Sequence, residues 1–491
     1  MNKIFDDIYI LLKDVFKGTI FEGHAFFVGG CVRDYINDLN PNDIDIVIDL
    51  KNESKSFCDI LHSKFINATT EPFQLGHYPI YSIKFTKDFH YNEKFLKLND
   101  ISIEVAESMS ERFNDNDSRQ RDVEFASIND DIFRRDFSIN SGLIDIISKE
   151  FIDYSGFTKN DIEKGIIRCN KNDKSYIDKI FFEDPLRILR GIIFSIRFNF
   201  EIDEETKNGM IRNKDRLSIV SKERIISECK KIFDLRFGMY KLVMKLDEFG
   251  ILDYVFPGIS NLKNSTQRQP NGDFDIRNIH VEGPTVFEHT LAVLQNIDTG
   301  MINSLAGLYH DVGKIYTEHK NGKIRYLNHE KIGVKLAEKY LKEMKYDLNT
   351  INDVKFLIEN HMLLHTLKDL SKKSLRRVIR KFPSDDLRFK LYSLCDADCK
   401  GTMSIINGRF VPMLPHYDIE EKIENLIKED EYITEKPFRY FNGHELMDIL
   451  NIESGPLVKK AINIMYEIQD EFGPNLDKEQ VKKLILKKFK K

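Results

Sequence analysis

Nowhere in the 491 residues is there a run of ~18 uncharged apolar residues of the kind a membrane span needs, and the first residues do not read as a secretory leader. Cysteine is scarce too. The six thiols (Cys31, Cys58, Cys169, Cys229, Cys395, Cys399) have neither zinc-like nor disulfide-framework spacing, which argues against a stapled secreted domain and fits a reducing cytoplasm. A basic excess is also missing. Lys plus Arg number 74 against 79 Asp plus Glu, for a net charge of −5. The balance is uneven: residues 1–155 hold 17 basic against 28 acidic side chains, residues 156–240 hold 18 against 14, and the remainder 39 against 37. A polyanionic partner would lie more naturally along the second region, although ordinary solvated helix faces explain its small excess equally well. The apolar share, 41%, suffices for real cores, and the length calls for more than one domain.

What the chain does have begins at Val28. Gly29 and Gly30 close an apolar run, Phe26-Phe27-Val28; a short helical stretch, CVRDYIND (31–38), follows; then DIDIVID (43–49) alternates as a strand. Side chains at i and i+2 share a strand face, so Asp43 and Asp45 point one way and Ile44, Ile46 and Ile48 into a core. Two carboxylates on one face repel each other unless a cation joins them. Their oxygens suit Mg²⁺, and a magnesium pair is what nucleotidyl transfer uses to hold nucleophile and leaving group. The glycines let backbone approach phosphate, and Arg33 can add a bidentate contact.

Further strand-like runs occur at 73–85 and 101–106, where Glu104 is either a third carboxylate beside the pair or an edge-strand acid. Residues 111–122 are almost wholly polar and read as a mobile loop. In DDIFRRDFSINSGLID (130–145), Arg134 and Arg135 suit a triphosphate, and Asp136 and Asn140, four apart, would share a helix face able to bind ribose hydroxyls; a helix start with surface charges fits the same residues. From Asp153 the pattern turns helical. In FFEDPLRILRGIIFSIRFNF (181–200), Asp184, Arg187 and Arg190 fall three apart on one face, which could read a base edge or form an intrahelical ion pair.

These segments together resemble the class II tRNA nucleotidyltransferases, the CCA-adding enzymes, and the related bacterial poly(A) polymerases. The likeness rests on GGCVRD with DID (29–45), SINDDIFRRDFSIN (127–140), DYSGFTKNDIEKGIIR (153–168), EDPLRILRGIIFSIRF (183–198) and SKERIISECKKIF (221–233). It implies that Asp43 and Asp45 hold catalytic Mg²⁺, that Gly30, Arg33, Arg135 and Arg190 contact the nucleotide, and that Asp184 and Arg187 select C or A; Gly29, Arg134, Asp136 and Asn140 stand beside them as nucleotide-binding candidates from the residues themselves. The sequence departs from the family pattern at Asn37-Asp38-Leu39, at Ile48 and at AESM (106–109).

The second half carries VFEHTLAVLQNI (286–297) and LAGLYHDVGK (305–314). His289 on one helix, with adjacent His310 and Asp311 on another, is the layout of a metal-dependent HD phosphohydrolase; His329, His361 and Asp396 are further candidate ligands. Imidazole with carboxylate suits Ni²⁺ or Mn²⁺ and can activate water against phosphorus. This half resembles the HD-bearing subgroup of the same enzymes, associated with phosphatase and cyclic phosphodiesterase activity. Residues 257–285 read as a linker or long loop, and KKLILKKFKK (482–491) as a basic helix, solvated or touching RNA.

The expected architecture is α+β: a polymerase-beta-like nucleotidyltransferase head (1–150), an all-α neck (151–250), an all-α HD domain (280–400) and a helical tail (401–491). The expected activity is addition of CCA to the 3′ end of tRNA from CTP and ATP in the cytoplasm, with no membrane partner. A poly(A) polymerase, a partial CC- or A-adding enzyme, or an HD hydrolase with a head that only binds RNA are the alternatives.

Overall fold

The computed structural model describes residues 3–76, 78–113, 121–265, 285–316, 319–320, 323–324, 326–367, 371–406, 409–429, 439–472 and 476–489. The chain divides into two compact units, Met1–Ile232 with Lys245–Ile251, and Phe233–Met244 with Leu252–Lys491. Among the described residues no helix is long and apolar enough to cross a membrane.

The first unit begins with α1 (Lys3–Phe16), whose Phe5, Ile8, Leu11, Leu12 and Phe16 form a buried stripe at helical spacing. A mixed sheet follows, built from β1 (Ala25–Val28), β2 (Asp43–Ile48), β3 (Phe73–Gln74), β4 (Ile80–Lys84), β7 (Ser102–Glu107), β10 (Leu143–Asp145) and β11 (Phe151–Ile152) in the order β11-β10-β1-β2-β7-β4-β3. Outside it lie β5 (Phe89–Tyr91) paired with β6 (Lys94–Leu96), and β8 (Met109–Phe113) paired with β9 (Arg121–Phe125). Within the sheet β2 and β7 run parallel and the other pairs antiparallel. Helices α2 (Gly30–Ile36) and α3 (Ser54–Lys64) flank β2 in the chain.

Alternation in β2 works as expected. Ile44, Ile46 and Ile48 enter the core that holds the α1 stripe, where Phe16 stacks on Phe57 at 4.0 Å. On the opposite face Val47 joins Phe26 and Val28 under Ile128 and Ile132 of α4 (Ile128–Phe133). That leaves Asp43 and Asp45 on the α4 side.

The expected loop at 111–122 is corrected at both ends. Residues 109–113 and 121–125 pair as the β8–β9 hairpin, Met109 opposite Phe125, and 114–120 lie outside the described residues. Polarity misled because a two-stranded ribbon needs backbone hydrogen bonds, not an apolar face. Of the expected linker, Ser260–Asn264 forms a 3₁₀ turn and 266–284 lie outside the described residues.

The helical continuation comprises α5 (Thr158–Lys164), α6 (Lys174–Glu183), α7 (Leu186–Phe198), α8 (Glu204–Arg212) and α9 (Lys222–Lys230). The run at 181–200 is two helices, not one. Pro185 has no N–H to continue α6 and biases Asp184 to an extended backbone, so α6 stops and α7 starts at once. Phe137 anchors the head to this layer, packing against Phe181 and Phe194; a Cβ on Gly191 would come within 2.8 Å of its ring.

After α10 (Gly238–Glu248) and α11 (Leu252–Val255), the second unit is mainly helical: α12 (Val286–Asn296), α13 (Met301–Tyr309), α14 (His329–Glu343), α15 (Leu348–Asn360), α16 (Lys372–Ile379), α17 (Asp385–Gly401) and α18 (Tyr417–Glu429). Its last helices, α19 (Gly443–Leu450), α20 (Pro456–Phe472) and α21 (Lys478–Phe489), share a small core of Leu446, Met465, Ile468 and Ile485. A Thr285–Glu288 capping box starts α12 and so sets His289 on its first turn.

Gly313 follows the His310-Asp311 pair in the chain and meets α14 backbone to backbone. A Cβ there would fall 2.0 Å from the His329 carbonyl oxygen and 2.7 Å from the Gly333 nitrogen. Neither neighbour is a side chain that can swing aside. Gly313→Ala should therefore destabilise the protein by at least about 1–3 kcal/mol, the scale of overpacking; urea unfolding measures it, and a wild-type midpoint would show that the helix yields freely.

Candidate active site

The parallel register of β2 with β7 places Asp43 opposite Ser102 and Asp45 opposite Glu104. Partners in adjacent strands present side chains to the same face, so three carboxylates gather there. Burial raises the Asp45 carboxyl above its ordinary range, Arg135 opposes the rise and Asp43 adds to it. Glu104 is raised by burial and then by Asp45 and Asp43. A divalent cation held by these oxygens would relieve that mutual repulsion, and an all-carboxylate donor set fits Mg²⁺.

Gly29 is confined to glycine by two constraints. Its φ is 77°, and a Cβ would lie 3.0 Å from Asp45 Oδ2. It leads into α2, whose first N–H, on Gly30, donates to Asp45.

Beside this face opens a cavity of about 370 Å³, within the ~300–1,000 Å³ common for small-ligand sites. Arginines dominate its wall. Arg134 donates to Asp131 Oδ1 at 3.0 and 2.7 Å, and Arg135 to Asp131 Oδ2 at 3.1 and 3.0 Å. Burial alone would raise Asp131, but Arg135 and Arg134 hold its carboxyl below the usual range, so the fully buried acid fixes both guanidinium forks.

A second chain of contacts runs from Arg33, which donates to Asn140 Oδ1 at 2.8 Å. Asn140 Nδ2 donates to Asp136 Oδ1 at 3.2 Å, and Arg190 Nε to Asp136 Oδ2 at 2.8 Å. Asp136 and Asn140 do meet, but through an extended residue entering the 3₁₀ turn Ser138–Asn140, not along a helix. Asp136 is held below its usual range because Arg190 and Arg187 outweigh its burial.

Asp184, at the α6–α7 junction, faces the same cavity as Arg187 and Arg190. Its carboxylate accepts Arg224 Nη2 at 3.2 and 2.9 Å. Arg187 donates to the Ile180 and Arg134 carbonyls at 3.2 and 2.7 Å. Thus the expected nucleotide residues converge, and Asp131 and Arg224, which sequence reasoning did not single out, hold them in place. Arg224 lies within SKERIISECKKIF (221–233), where sequence alone does not separate it from surface charge.

A separate cluster forms in the second unit. His289 Nε2 lies 3.2 Å from His310 Nε2 and 3.0 Å from Asp398 Oδ1; His310 Nε2 lies 3.2 Å from Asp311 Oδ2. On the other side of Asp311, Oδ1 is 3.3 Å from His329 Nε2 and 3.8 Å from His361 Nε2, and those two nitrogens are 3.2 Å apart. All four rings turn Nδ1 to a backbone carbonyl (Gly401, Gly307, Tyr326 and Ile358 respectively), at 2.7–3.3 Å. A carbonyl only accepts, so Nδ1 carries the proton and Nε2 is the atom left for the cluster.

Two carboxylates among these rings call for positive charge. They draw His289 up to about 9 against its burial, while burial and His310 push His361 down to about 3. Asp311 and Asp398 lie well below the usual carboxylate range; burial alone would raise them, and the histidines around each, with Lys314 at Asp311, overcome it. Asp311 Oδ1, buried, has no hydrogen-bond partner among the described residues. Convergent Nε2 atoms, a shared carboxylate and that orphaned oxygen are a donor set fit for transition-metal ions.

The structure replaces Asp396 with Asp398 at this site. Residues two apart on a helix point to roughly opposite sides. Asp398 faces the histidines, whereas Asp396 faces Glu420 and Tyr417.

Comparison with known proteins follows the same division. Residues 25–168 match the poly A polymerase head domain, 199–263 the probable RNA and SrmB-binding site of polymerase A, and 286–392 the HD domain. The multifunctional CCA protein of Acinetobacter baumannii (strain SDF) is 27% identical over 296 residues, covering 57% of this chain and 66% of its own length. The CCA-adding enzyme of Staphylococcus saprophyticus is 32% identical over 209 residues, covering 42% of this chain and 45% of its own. The chain thus spans just under two thirds of the first relative's length and less than half of the second's. Among solved structures, the Bacillus stearothermophilus CCA-adding enzyme in complex with CTP superimposes with a TM-score of 0.64 at 17% identity, covering 100% of this chain and 98% of that one. The Thermotoga maritima enzyme complexed with tRNA gives 0.54 at 17% identity, covering 99% and 96%. The chain thus carries a poly A polymerase head domain, a polymerase A-type RNA-binding segment and an HD domain in this order, and it is similar over parts of its length to multifunctional CCA proteins and CCA-adding enzymes.

Proposed function

We propose that the first unit adds CCA to the 3′ end of tRNA, taking nucleotides from CTP and ATP in the cytoplasm. The observation that carries this reading is the joining of the Asp43, Asp45 and Glu104 face to an arginine-walled cavity of nucleotide size. The three carboxylates would hold Mg²⁺, which when bound supplies charge neutralisation and eases ionisation of the attacking 3′-hydroxyl. Gly29 and Gly30 let the triphosphate approach backbone N–H groups. Arg33, Arg134 and Arg135 neutralise its oxygens with forks already fixed by Asp34, Asn140 and Asp131, so little reorganisation is left for the reaction. Asp136, Asn140 and Arg190 frame the sugar. Asp184 offers acceptors and Arg187 donors, a complement for a base edge that needs no RNA template.

In the second unit, His289, His310, Asp311 and Asp398 would hold Ni²⁺ or Mn²⁺, with His329 and His361 receiving a second ion on Asp311 Oδ1. Such metals activate water against phosphorus. An accessory phosphatase or cyclic phosphodiesterase acting on RNA ends is the reading this cluster favours.

The decisive assay supplies Mg²⁺ and tRNA transcripts lacking CCA with CTP, with ATP, or with both. Addition that stops after two cytidines with CTP alone and completes CCA with both supports the reading. A long ladder with ATP alone makes the protein a poly(A) polymerase. Asp45→Asn should cut addition by at least about 10²-fold, the scale of losing one preorganised electrostatic group. Asp184→Ala should instead leave turnover measurable and admit UTP or GTP; unchanged selectivity would remove the base-reading role. Asp311→Asn should abolish Ni²⁺-dependent phosphate release from a 2′,3′-cyclic nucleotide while CCA addition continues at the wild-type rate, and persistent release would refute the metal assignment.

A further inference from the structure

Three side chains with no part in the two sites above meet at the edge of the histidine cluster. One nitrogen each from His365 and His416 and the Sγ of Cys399 lie within 4.8 Å of one another. His365 belongs to a 3₁₀ turn, Leu364–Thr366; Cys399 sits on the last turn of α17; His416 directly precedes α18. His416 Nε2 and His365 Nδ1 approach to 2.9 Å, and the other ring nitrogen of His365 lies 3.7 Å from Asp398 Oδ2. Cys399 and His416 are buried, at 1% and 4% exposure.

Their arrangement follows from helix geometry. Cys395, Asp398 and Cys399 are spaced i, i+3, i+4 and so share one face of α17. Cys395 turns its thiol to the His361 carbonyl oxygen at 3.0 Å, which leaves Cys399 as the sulfur at the imidazoles. His361 and His365, also four apart, deliver one ring to each cluster. Asp398 belongs to both: Oδ1 faces His289 and Oδ2 faces His365.

We propose that His365, Cys399 and His416 form a further metal site, selective for a thiolate-accepting divalent cation of the zinc class. The donor chemistry separates it from its neighbour. Histidine and carboxylate suit several transition ions, whereas a thiolate with two imidazoles favours the softer zinc, and three protein donors leave a position for water or a phosphate oxygen. A bound ion would tie the start of α18 to the end of α17. Asp398, 3.7 Å from the other ring nitrogen of His365, is placed where an outer carboxylate could orient a ligating ring. This inference rests on the donor geometry alone, whichever ion the histidine cluster takes.

The full chain, saturated with Co²⁺ as a spectroscopic substitute for Zn²⁺, tests it. The site should give a near-ultraviolet thiolate-to-cobalt charge-transfer band. Cys399→Ser and His416→Gln should abolish that band and lower tightly held Zn²⁺, counted by plasma mass spectrometry, by about one ion per chain. Cys395→Ser should keep it, as should His310→Ala, which disturbs only the neighbouring cluster. Circular dichroism melts establish that each variant is folded, and the wild-type spectrum decides even where one is not. Saturated wild type without the band overturns the proposal. So does a band that survives Cys399→Ser, or one that disappears in His310→Ala, since the sulfur would then serve the known cluster and no separate site would exist.

Discussion

Carboxylates forced together by backbone register organise the first unit. The parallel pairing of β2 with β7 leaves Asp45 no position except beside Glu104, and the two-residue period brings Asp43 onto the same face. Burial and mutual repulsion raise Asp45 and Glu104, so the face is costly without a cation and ready for one. Much of the surrounding structure keeps that geometry from relaxing. Ile44, Ile46 and Ile48 lock the strand from behind, Val47 locks it from the front under Ile132, and Gly29 presses so close to Asp45 Oδ2 that no side chain fits. Shifting β2 by one residue would bury the acids and expose the isoleucines, so the core enforces the register the chemistry needs.

The second unit reaches a similar end with nitrogen. Backbone carbonyls accept from Nδ1 of four histidines, which turns their Nε2 atoms toward one another and toward the carboxylates. Two such pairs stand 3.2 Å apart on either side of Asp311. The close backbone approach at Gly313 brings the first turn of α14, and with it His329, against the segment carrying His310 and Asp311. Here packing density and ligand geometry are one property.

Legibility in the sequence followed the range of the interactions. The alternating acids, the glycine pair and the His-Asp doublet are local patterns, each carrying its geometry within a few residues, and each could be read directly. Glu104 stayed open because its place depends on a strand partner some sixty residues away. The three-residue spacing of Asp184, Arg187 and Arg190 suggests one helix face, but Pro185 stands at the very start of α7 and leaves the acid between two helices. Asp396 and Asp398 could not be separated without knowing which face of α17 is buried, and the buried cysteines at 395 and 399 were the available clue. Asp131 and Arg224 touch their partners through folded contacts that no spacing announces, and His416 lies 51 residues from His365.

The contacts of Arg187 tie the pair proposed to read the base to the pair proposed to bind phosphate. Its guanidinium donates to the Arg134 carbonyl, so the backbone that carries Arg134 and Arg135 is bonded directly to the Asp184–Arg187 side of the cavity. Asp136 receives Arg190 on one oxygen and Asn140 on the other, and Asn140 holds Arg33. Phe137, wedged between Phe181 and Phe194 and against Gly191, fixes the residue between these polar partners in the apolar layer. A nucleotide whose base misfits Asp184 and Arg187 would therefore strain the same framework that orients its phosphates. Selection among bases then need not come from binding alone, because a misaligned α-phosphate is also a poor target for in-line attack.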